Sequence, residues 1–458
     1  MKKLPILVIL ALCAAMTLPV VPSAAPSEAR QEVPPPLPNV LLIVTDDQRV
    51  DTMEAMPKTT RLFAGRGTTF SNAYSTTPLC CPSRASIMTG LYAHNHNVET
   101  QSRAGTTLDV GQTLQRYLFD ANYYTGLIGK WLNGWNLEVV PPYLNEIAIF
   151  TSAGIAYTDG LWNVDGTVKQ VNGYSSDFIR QRTKGFLARA ETIDDQPWFL
   201  MVTPPQPHSP FQPEPEFAEE RFGPWVSSPA VGEADKSDKP PWVETLKAGR
   251  YQGRRLRTKQ LRTLRSIDEL VANTFRTMNS FGETSNTLAV FTSDNGYLWG
   301  EHGIVNIKRY PYTPSIHVPM YLRWPGHVPE GVVDERFAAN IDIAPTVLEA
   351  AGNLDRVAQL DGRSFLQPSA RQRILLEYWE GDGNPLGTWA SLRSDEYQYT
   401  EYYDANGAVI YREYYDVVED PFQLENLLDN GTVLDDPEWI SLSNDLQQMR
   451  ECSGASCP

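Results

Sequence analysis

The chain is poor in cysteine, histidine and positive charge, and after its first residues it has no long apolar run. Its 458 residues include five cysteines and six histidines, and 39 lysines and arginines face 55 aspartates and glutamates, giving a formal net charge of −16. A surface of that sign repels nucleic acid and anionic membranes, and it argues against long polyanionic glycans as preferred substrates. Any anion must therefore be met by cations placed locally. No segment after Val21 is apolar for long enough to span a bilayer. Internal repeats and low-complexity tracts are absent, so nothing points to a solenoid or a disordered array.

The single long apolar run lies at the start. Lys2 and Lys3 precede Leu4 to Val21, and Pro22-Ser23-Ala24-Ala25 follows. That layout reads as a signal peptide over 1–25, cleaved after small residues and too short and too broken by Pro19 to anchor the chain. Leu12 is too large to precede a lipidated Cys13. Residues 26–38, rich in Pro, Ala and Glu, read as a flexible leader. The mature chain is expected outside the cytoplasm, secreted or periplasmic, and free of membrane after cleavage. In that oxidising compartment Cys452 and Cys457, the two cysteines left once Cys13 and the Cys80-Cys81 pair are set aside, are expected to join as a small terminal disulfide.

Length and apolar content allow a main domain, 39–370, and a smaller one, 371–458. Val40–Val44, Leu288–Phe291 and Trp198–Val202 are continuous apolar runs, the mark of strands buried on both faces of a parallel sheet. Each delivers polar residues at its C-terminal end: Thr45-Asp46-Asp47-Gln48, Ser293-Asp294-Asn295-Gly296 and Pro207-His208-Ser209-Pro210. Open α/β sheets build their sites at such ends. Leu261, Leu264, Ile267, Val271, Phe275 and Met278 recur at helical spacing and predict an amphipathic helix on that sheet. Residues 205–250, dense in Pro and charge, read either as a loop across the pocket mouth or as a disordered insertion. Past residue 370, short strand-like runs separated by Gly, Asn and Asp predict a small antiparallel unit.

Pro78-Leu79-Cys80-Cys81-Pro82-Ser83-Arg84 carries the most chemistry. Pro82 suits a first helical turn, Ala85–Gly90 reads as a short helix, and Cys80 falls just ahead of its start. Free N–H groups and the helix dipole favour an anion there, Arg84 would reinforce them, and a thiol so placed should be acidified. A buried vicinal pair beside an ordinary loop is the other reading. Asp46, Asp47, Asp294 and Asn295 are hard oxygen donors suited to Ca²⁺ or Mg²⁺ and ill suited to zinc, although Asp-Asp after a strand also makes a solvated turn.

Cys-X-Pro-Ser-Arg followed by a small or apolar run and Thr-Gly resembles the defining motif of type I sulfatases. The doubled cysteine and Tyr92-Ala93-His94-Asn95-His96-Asn97-Val98 are similar to the N-acetylglucosamine-6-sulfatase branch. The resemblance implies an alkaline-phosphatase-like α/β fold, with a large central mixed sheet flanked by helices and a smaller C-terminal antiparallel subdomain. It implies that a formylglycine-generating enzyme oxidises Cys80 to formylglycine, whose hydrate is the nucleophile. Asp46, Asp47, Asp294, Asn295 and the matured Cys80 would surround one divalent cation, calcium first and magnesium second. Arg84 would orient the hydrate, Lys130 in Gly129-Lys130-Trp131 and Lys308 would bind sulfate, and His208 would stand near the leaving oxygen. The family's frequent histidine two residues after the first lysine is absent here, where Leu132 and Asn133 follow Trp131. His94 or His96 is the expected substitute as base, unless they cap the helix or bond in the core.

The activity implied is sulfuric ester hydrolysis on a sulfated sugar, with an aryl sulfate as the nearest rival. A phosphomonoester or phosphonate-ester hydrolase of the same fold is the second reading. Asn295, where two-metal relatives carry histidine, argues against it. A non-catalytic sulfoglycan-binding protein is the third. Trp299, Tyr310 and Tyr312 near Lys308 are expected either to stack on sugar or to pack.

Overall fold

Why Val40–Val44 is apolar without interruption is plain once its neighbours are known: every residue of the strand Asn39–Thr45 is buried between two parallel partners. The computed structural model describes Met1 and residues 36–151, 157–193, 196–381, 386–429, 431 and 438–457. Apart from Met1 the expected signal peptide lies outside the described residues, as does all of the expected leader before Pro36. Contacts divide the chain into residues 1–36 and 37–458, and the account below concerns the second unit.

In chain order the strands of this unit's first part are β1 (Asn39–Thr45), β2 (Thr68–Tyr74), β3 (Tyr124–Lys130), β4 (Glu146–Phe150), β5 (Thr158–Val164), β6 (Thr167–Tyr174), β7 (Trp198–Thr203), β8 (Thr287–Ser293), β9 (Leu298–Trp299), β10 (Val305–Ile307), β11 (Met320–Arg323) and β12 (Val332–Ala339). Among the described residues ten of them form one mixed sheet in the order β12-β2-β11-β8-β1-β7-β3-β4-β5-β6, and β9 pairs with β10 apart from it. The five neighbours β8, β1, β7, β3 and β4 are parallel. Their C-terminal ends therefore open along one edge, where the sequence places its polar residues.

Alternate side chains of β1 enter two apolar layers, as strand geometry requires. Val40, Leu42 and Val44 pack with Cys81, Ala85, Ile87 and Met88. Leu41 and Ile43 pack with Leu261, Leu264, Ile267, Val271, Phe275 and Met278. The latter six lie on a helix running Arg250–Phe281, so the predicted amphipathic helix exists but begins earlier. Its first turns, Arg250 to Gln260, carry five basic residues, four of them exposed, and lack the apolar period that reveals the rest.

A second sheet, β13 (Arg373–Tyr378), β14 (Thr388–Ser394), β15 (Tyr397–Tyr403) and β16 (Val409–Asp416), is an antiparallel meander in sequence order. Leu446 and Met449 of the helix Trp439–Arg450 pack into its core with Ile374 and Leu376. Cys452 and Cys457 form the expected disulfide. Residues 205–250 follow a defined path: His302 N donates to Ala230 O (2.8 Å), Lys239 Nζ to Leu424 O (2.7 Å) and Asn426 N to Asp238 Oδ2 (2.7 Å). Those bonds tie the segment to the loop after β9 and to the segment after β16.

Candidate active site

Adjacent residues of an extended strand point to opposite faces, yet Asp46 and Asp47 converge. The backbone explains it: Asp47 has φ 69°, a left-handed conformation that aspartate tolerates better than most residues. The turn is pinned from both neighbouring strands, since Asp46 N donates to Gln206 O (3.1 Å) and Asp294 N to Thr45 O (3.1 Å). Asp47 N donates to Asp294 Oδ1 (3.0 Å), and Asn295 Nδ2 to Asp47 Oδ1 (2.7 Å).

Cys80 is the first residue of the helix Cys80–Thr89, not the residue before it, and Gly90 ends that helix at φ 72°. Its Sγ lies 3.4 Å from Asp46 Oδ1 and 3.9 Å from Asp47 Oδ1, so the strand ends and the motif cysteine meet. The expected acidified thiol is not found. Burial pushes the Cys80 thiol up, and the opposing fields of Lys130 and Lys308 do not overcome it. A helix start can be read from sequence, whereas the depth at which it is buried cannot.

Three cations answer three carboxylates. Lys130 Nζ bonds Asp46 Oδ2 (2.6 Å), Lys308 Nζ bonds Asp47 Oδ1 and stands 3.2 Å from Cys80 Sγ, and Arg84 Nε bonds Asp294 Oδ2 (2.9 Å). All six side chains are buried. Burial raises the Asp46 carboxyl, but Lys130, His208, Arg84 and Lys308 together hold it well below the usual range. Burial and the charge of Asp46 push Asp294 up. Burial works against the Lys308 ammonium, yet Asp47 and Cys80 raise it well above its ordinary value. Gly129 is required for Lys130 to sit here: at φ 128°, a Cβ would lie 2.1 Å from Thr203 O of β7.

His208 enters from the loop after β7, its Nε2 3.7 Å from Asp47 Oδ2. Its Nδ1 is 2.7 Å from Ser209 O, a carbonyl that can only accept, so Nδ1 carries the proton and Nε2 presents a lone pair to the site. Burial lowers its proton affinity further. His94 and His96 are placed otherwise. His94 Nδ1 bonds Glu377 Oε2 (2.9 Å) and Nε2 bonds Cys452 O (2.9 Å). His96 Nδ1 accepts from Val98 N (3.1 Å) and Nε2 bonds Ser86 Oγ (3.0 Å), and burial pushes it down to about 3. Neither bonds Cys80, and both ring nitrogens of each are engaged. The expected substitute base is therefore replaced by the alternative reading, in which both hold structure.

Single donor atoms of Asp46, Asp47, Cys80 and His208 lie within 4.8 Å of one another. Two further facts fit a cation: Asp47 Oδ2 and Asn295 Oδ1 are buried acceptors without a hydrogen-bond partner. A set dominated by carboxylate and amide oxygen suits a hard divalent ion. Asp294 adjoins this set, one oxygen accepting from Asp47 N and the other from Arg84 Nε, which leaves each a further lone pair.

Several supporting residues escaped sequence reasoning. Gln260 Nε2 donates to Asp47 O and Pro207 O (both 3.3 Å), and Trp299 Nε1 donates to Gln260 Oε1 (2.5 Å). Its signal was available, a polar residue on the buried stripe of an amphipathic helix. Ser75 Oγ donates to Asp294 O (2.7 Å), Ser83 Oγ donates to the same carbonyl, and Asn340 Nδ2 donates to Ser83 Oγ (2.9 Å). Ser83 lies in the Cys-X-Pro-Ser-Arg motif, whereas Ser75 and Asn340 carry no local pattern. Trp299 and Tyr312 are fully buried and so pack, as the second of the two readings had it.

The tips of parallel strands thus bring carboxylates and Lys130 together with a helix-start cysteine, Arg84 and Lys308 around one point, a setting that suits a hard cation beside an anionic group. Residues 38–353 match the Sulfatase family model, and residues 300–451 match that of the C-terminal region of N-sulphoglucosamine sulphohydrolase. The chain belongs to the sulfatase family. It is 32% identical over 360 residues to the extracellular sulfatase SULF-1 homolog of Drosophila melanogaster, covering 75% of this chain and 32% of that protein. To N-acetylglucosamine-6-sulfatase of Homo sapiens it is 28% identical over 491 residues, covering 92% and 86%. The chain spans between 32% and 48% of the length of the extracellular sulfatase relatives.

A structure solved in complex with its substrate D-glucosamine-2-N,6-O-disulfate superposes with TM-score 0.73 at 23% identity, over 91% of this chain and 97% of that one. A phosphonate monoester hydrolase of Agrobacterium radiobacter superposes with TM-score 0.68 at 21% identity, over 90% and 95%. These likenesses establish the alkaline-phosphatase-like fold, which sulfate and phosphonate chemistry share.

Proposed function

We propose that this chain is a sulfuric ester hydrolase that releases sulfate from a sulfated sugar, with 6-O-sulfated N-acetylglucosamine as the first candidate unit. The observation that carries the reading is Cys80: a sulfatase-motif cysteine at a buried helix start, within 3.4 Å of Asp46 Oδ1 and 3.2 Å of Lys308 Nζ. Conversion of Cys80 to formylglycine would supply a nucleophilic oxygen there, and one divalent cation, Ca²⁺ or Mg²⁺, would supply Lewis-acid stabilisation.

Asp46, Asp47, Asp294, Asn295 and the matured Cys80 would hold that cation, with Asp294 also accepting from the backbone of Asp47 and from Arg84. Lys130 and Lys308 bind the sulfate oxygens from opposite carboxylate partners. His208 Nε2 is the atom able to accept a proton, and Lys308 Nζ, kept charged by Asp47, is the one able to donate to the departing alcohol. Charge supports the choice of ester. The three carboxylates and three cations already balance. A divalent cation, a sulfate-ester monoanion and one ionised oxygen at position 80 preserve that balance. A phosphomonoester dianion leaves an excess negative charge in a buried site.

We read residues 39–370 as the catalytic domain, 371–458 as the C-terminal subdomain, and the mature protein as exported. Among the described residues no helix is long and apolar enough to cross a membrane. The test is a comparison of turnover on nitrophenyl sulfate, nitrophenyl phosphate and a phenyl phosphonate ester, followed by a panel of sulfated monosaccharides. Preference for phosphorus esters would transfer the chain to the second reading, which the phosphonate hydrolase likeness keeps open.

A further inference from the structure

The negative charge of this protein is not spread evenly. Between Arg250 and Arg265 the long helix carries seven basic residues and no acidic one. A concavity of about 710 Å³ lies on that helix, lined by Glu220, Arg221, Arg254, Arg255, Lys259 and Arg262. Arg221, Arg254, Arg255 and Lys259 are exposed. Among the described residues none of these four is paired with a carboxylate; Glu220, the one acidic lining residue, is bonded to Arg265 instead. Arg255 and Lys259 stand one helical turn apart, an arrangement in which like charges repel. A chain of formal charge −16 thus keeps an unneutralised basic hollow.

Its position ties it to the site. Lys259 adjoins Gln260, whose Nε2 bonds the backbone of Asp47 and Pro207. The loop that carries His208 runs on to Glu220, where Arg262 Nε bonds the carbonyl (3.0 Å). The hollow therefore belongs to the same two segments that buttress the catalytic centre, and none of its cations serves that centre.

We propose that this surface is a secondary site for the anionic units of a sulfated polysaccharide, binding the chain beyond the residue that is hydrolysed. The inference rests on the sulfatase reading above and narrows its substrate class from sulfated monosaccharides to polyanionic glycans. The average charge argued against such substrates in the sequence, and the local field reverses that argument. Nucleic acid and anionic membranes present larger surfaces, most of which would face repulsive charge.

The experiment titrates a heparin-derived octasaccharide into the full chain at several salt concentrations, for wild type and for Arg254→Gln/Arg255→Gln/Lys259→Gln. The account expects binding by wild type, a Kd at least about tenfold weaker in the triple variant, and a salt slope reduced by about two. It also expects kcat/KM on a sulfated monosaccharide to change less than about twofold, while KM for the octasaccharide rises. Arg254→Lys/Arg255→Lys, which keeps the charge, should retain binding, and equal melting of all variants excludes misfolding. Octasaccharide binding that is absent in wild type, or equal in the triple variant, overturns the proposal. So does tighter binding of an oligonucleotide or a phosphatidylserine vesicle through the same cations. Because binding is read without turnover, a chain that captures the octasaccharide but cleaves no sulfate ester refutes the sulfatase reading and leaves the polyanion surface standing.

Discussion

Lys308 Nζ lies 3.2 Å from Cys80 Sγ although 228 residues separate them. It also bonds Asp47, so a single ammonium touches both the proposed nucleophile position and the proposed cation cradle. Lys308→Ala should lower kcat/KM on a sulfate ester by about 10²–10³-fold, the scale of losing one preorganised charge stabiliser. Steady-state kinetics on nitrophenyl sulfate read this directly. A loss under threefold would remove Lys308 from the machinery.

Arg84 and Asp294 form a buried pair whose side chains are 2% and 0% exposed. Removing one partner strands the other. Arg84→Ala should cost about 3 kcal/mol of stability in denaturant titrations, and adding Asp294→Asn should return most of it. If the double variant is as unstable as the sum of the singles, the pair is not coupled as described.

His94, on the short helix Ala93–His96, binds that helix to the second sheet in a pH-dependent way. Burial opposes its charge, but Glu377 overcomes that and raises it above its ordinary 6.5. Both of its partners, Glu377 and the Cys452 carbonyl, are acceptors, so the ring donates from both nitrogens when charged. A raised value means that the stabilisation is complete below pH 6.5 and disappears as pH climbs through the folded-state value. Unfolding measured from pH 5.5 to 9 should show wild type exceeding His94→Gln at the acid end and converging with it at the alkaline end. A constant gap would place the effect in packing alone.

Chelation tests the oxygen cradle. Dialysis against EDTA should abolish sulfate-ester turnover, with Ca²⁺ or Mg²⁺ restoring it. Either ion at about a hundred times its Kd should stabilise the fold by about 2.7 kcal/mol, seen as a raised Tm. Asn295→Ala, which deletes a buried acceptor lacking a partner, should shrink that shift.

What was legible beforehand follows a physical rule. Strands β1, β7 and β8 announced themselves because burial between parallel neighbours leaves unbroken apolar runs, each ending in polar residues. Lys130 and Lys308 have no such pattern and were reached only through family resemblance. Ser75, Asn340 and Gln260 act through bonds to segments up to 257 residues away, which no local window registers. His94 and His96 misled for a related reason. They follow the Cys80–Thr89 helix closely, but Glu377 of β13 and the Cys452 carbonyl claim His94, while Ser86 and Val98 claim His96. The thiol of Cys80 was expected to be acidic because a helix start favours anions; complete burial outweighs that field.

The most direct measurement is mass spectrometry of the peptide spanning Cys80, taken from protein exported by its native host. The account predicts an aldehyde in place of the thiol, in a preparation that releases sulfate from a sulfated sugar. An unmodified Cys80 in protein that still cleaves sulfate esters, or a fully converted residue in protein that cleaves none, would contradict it.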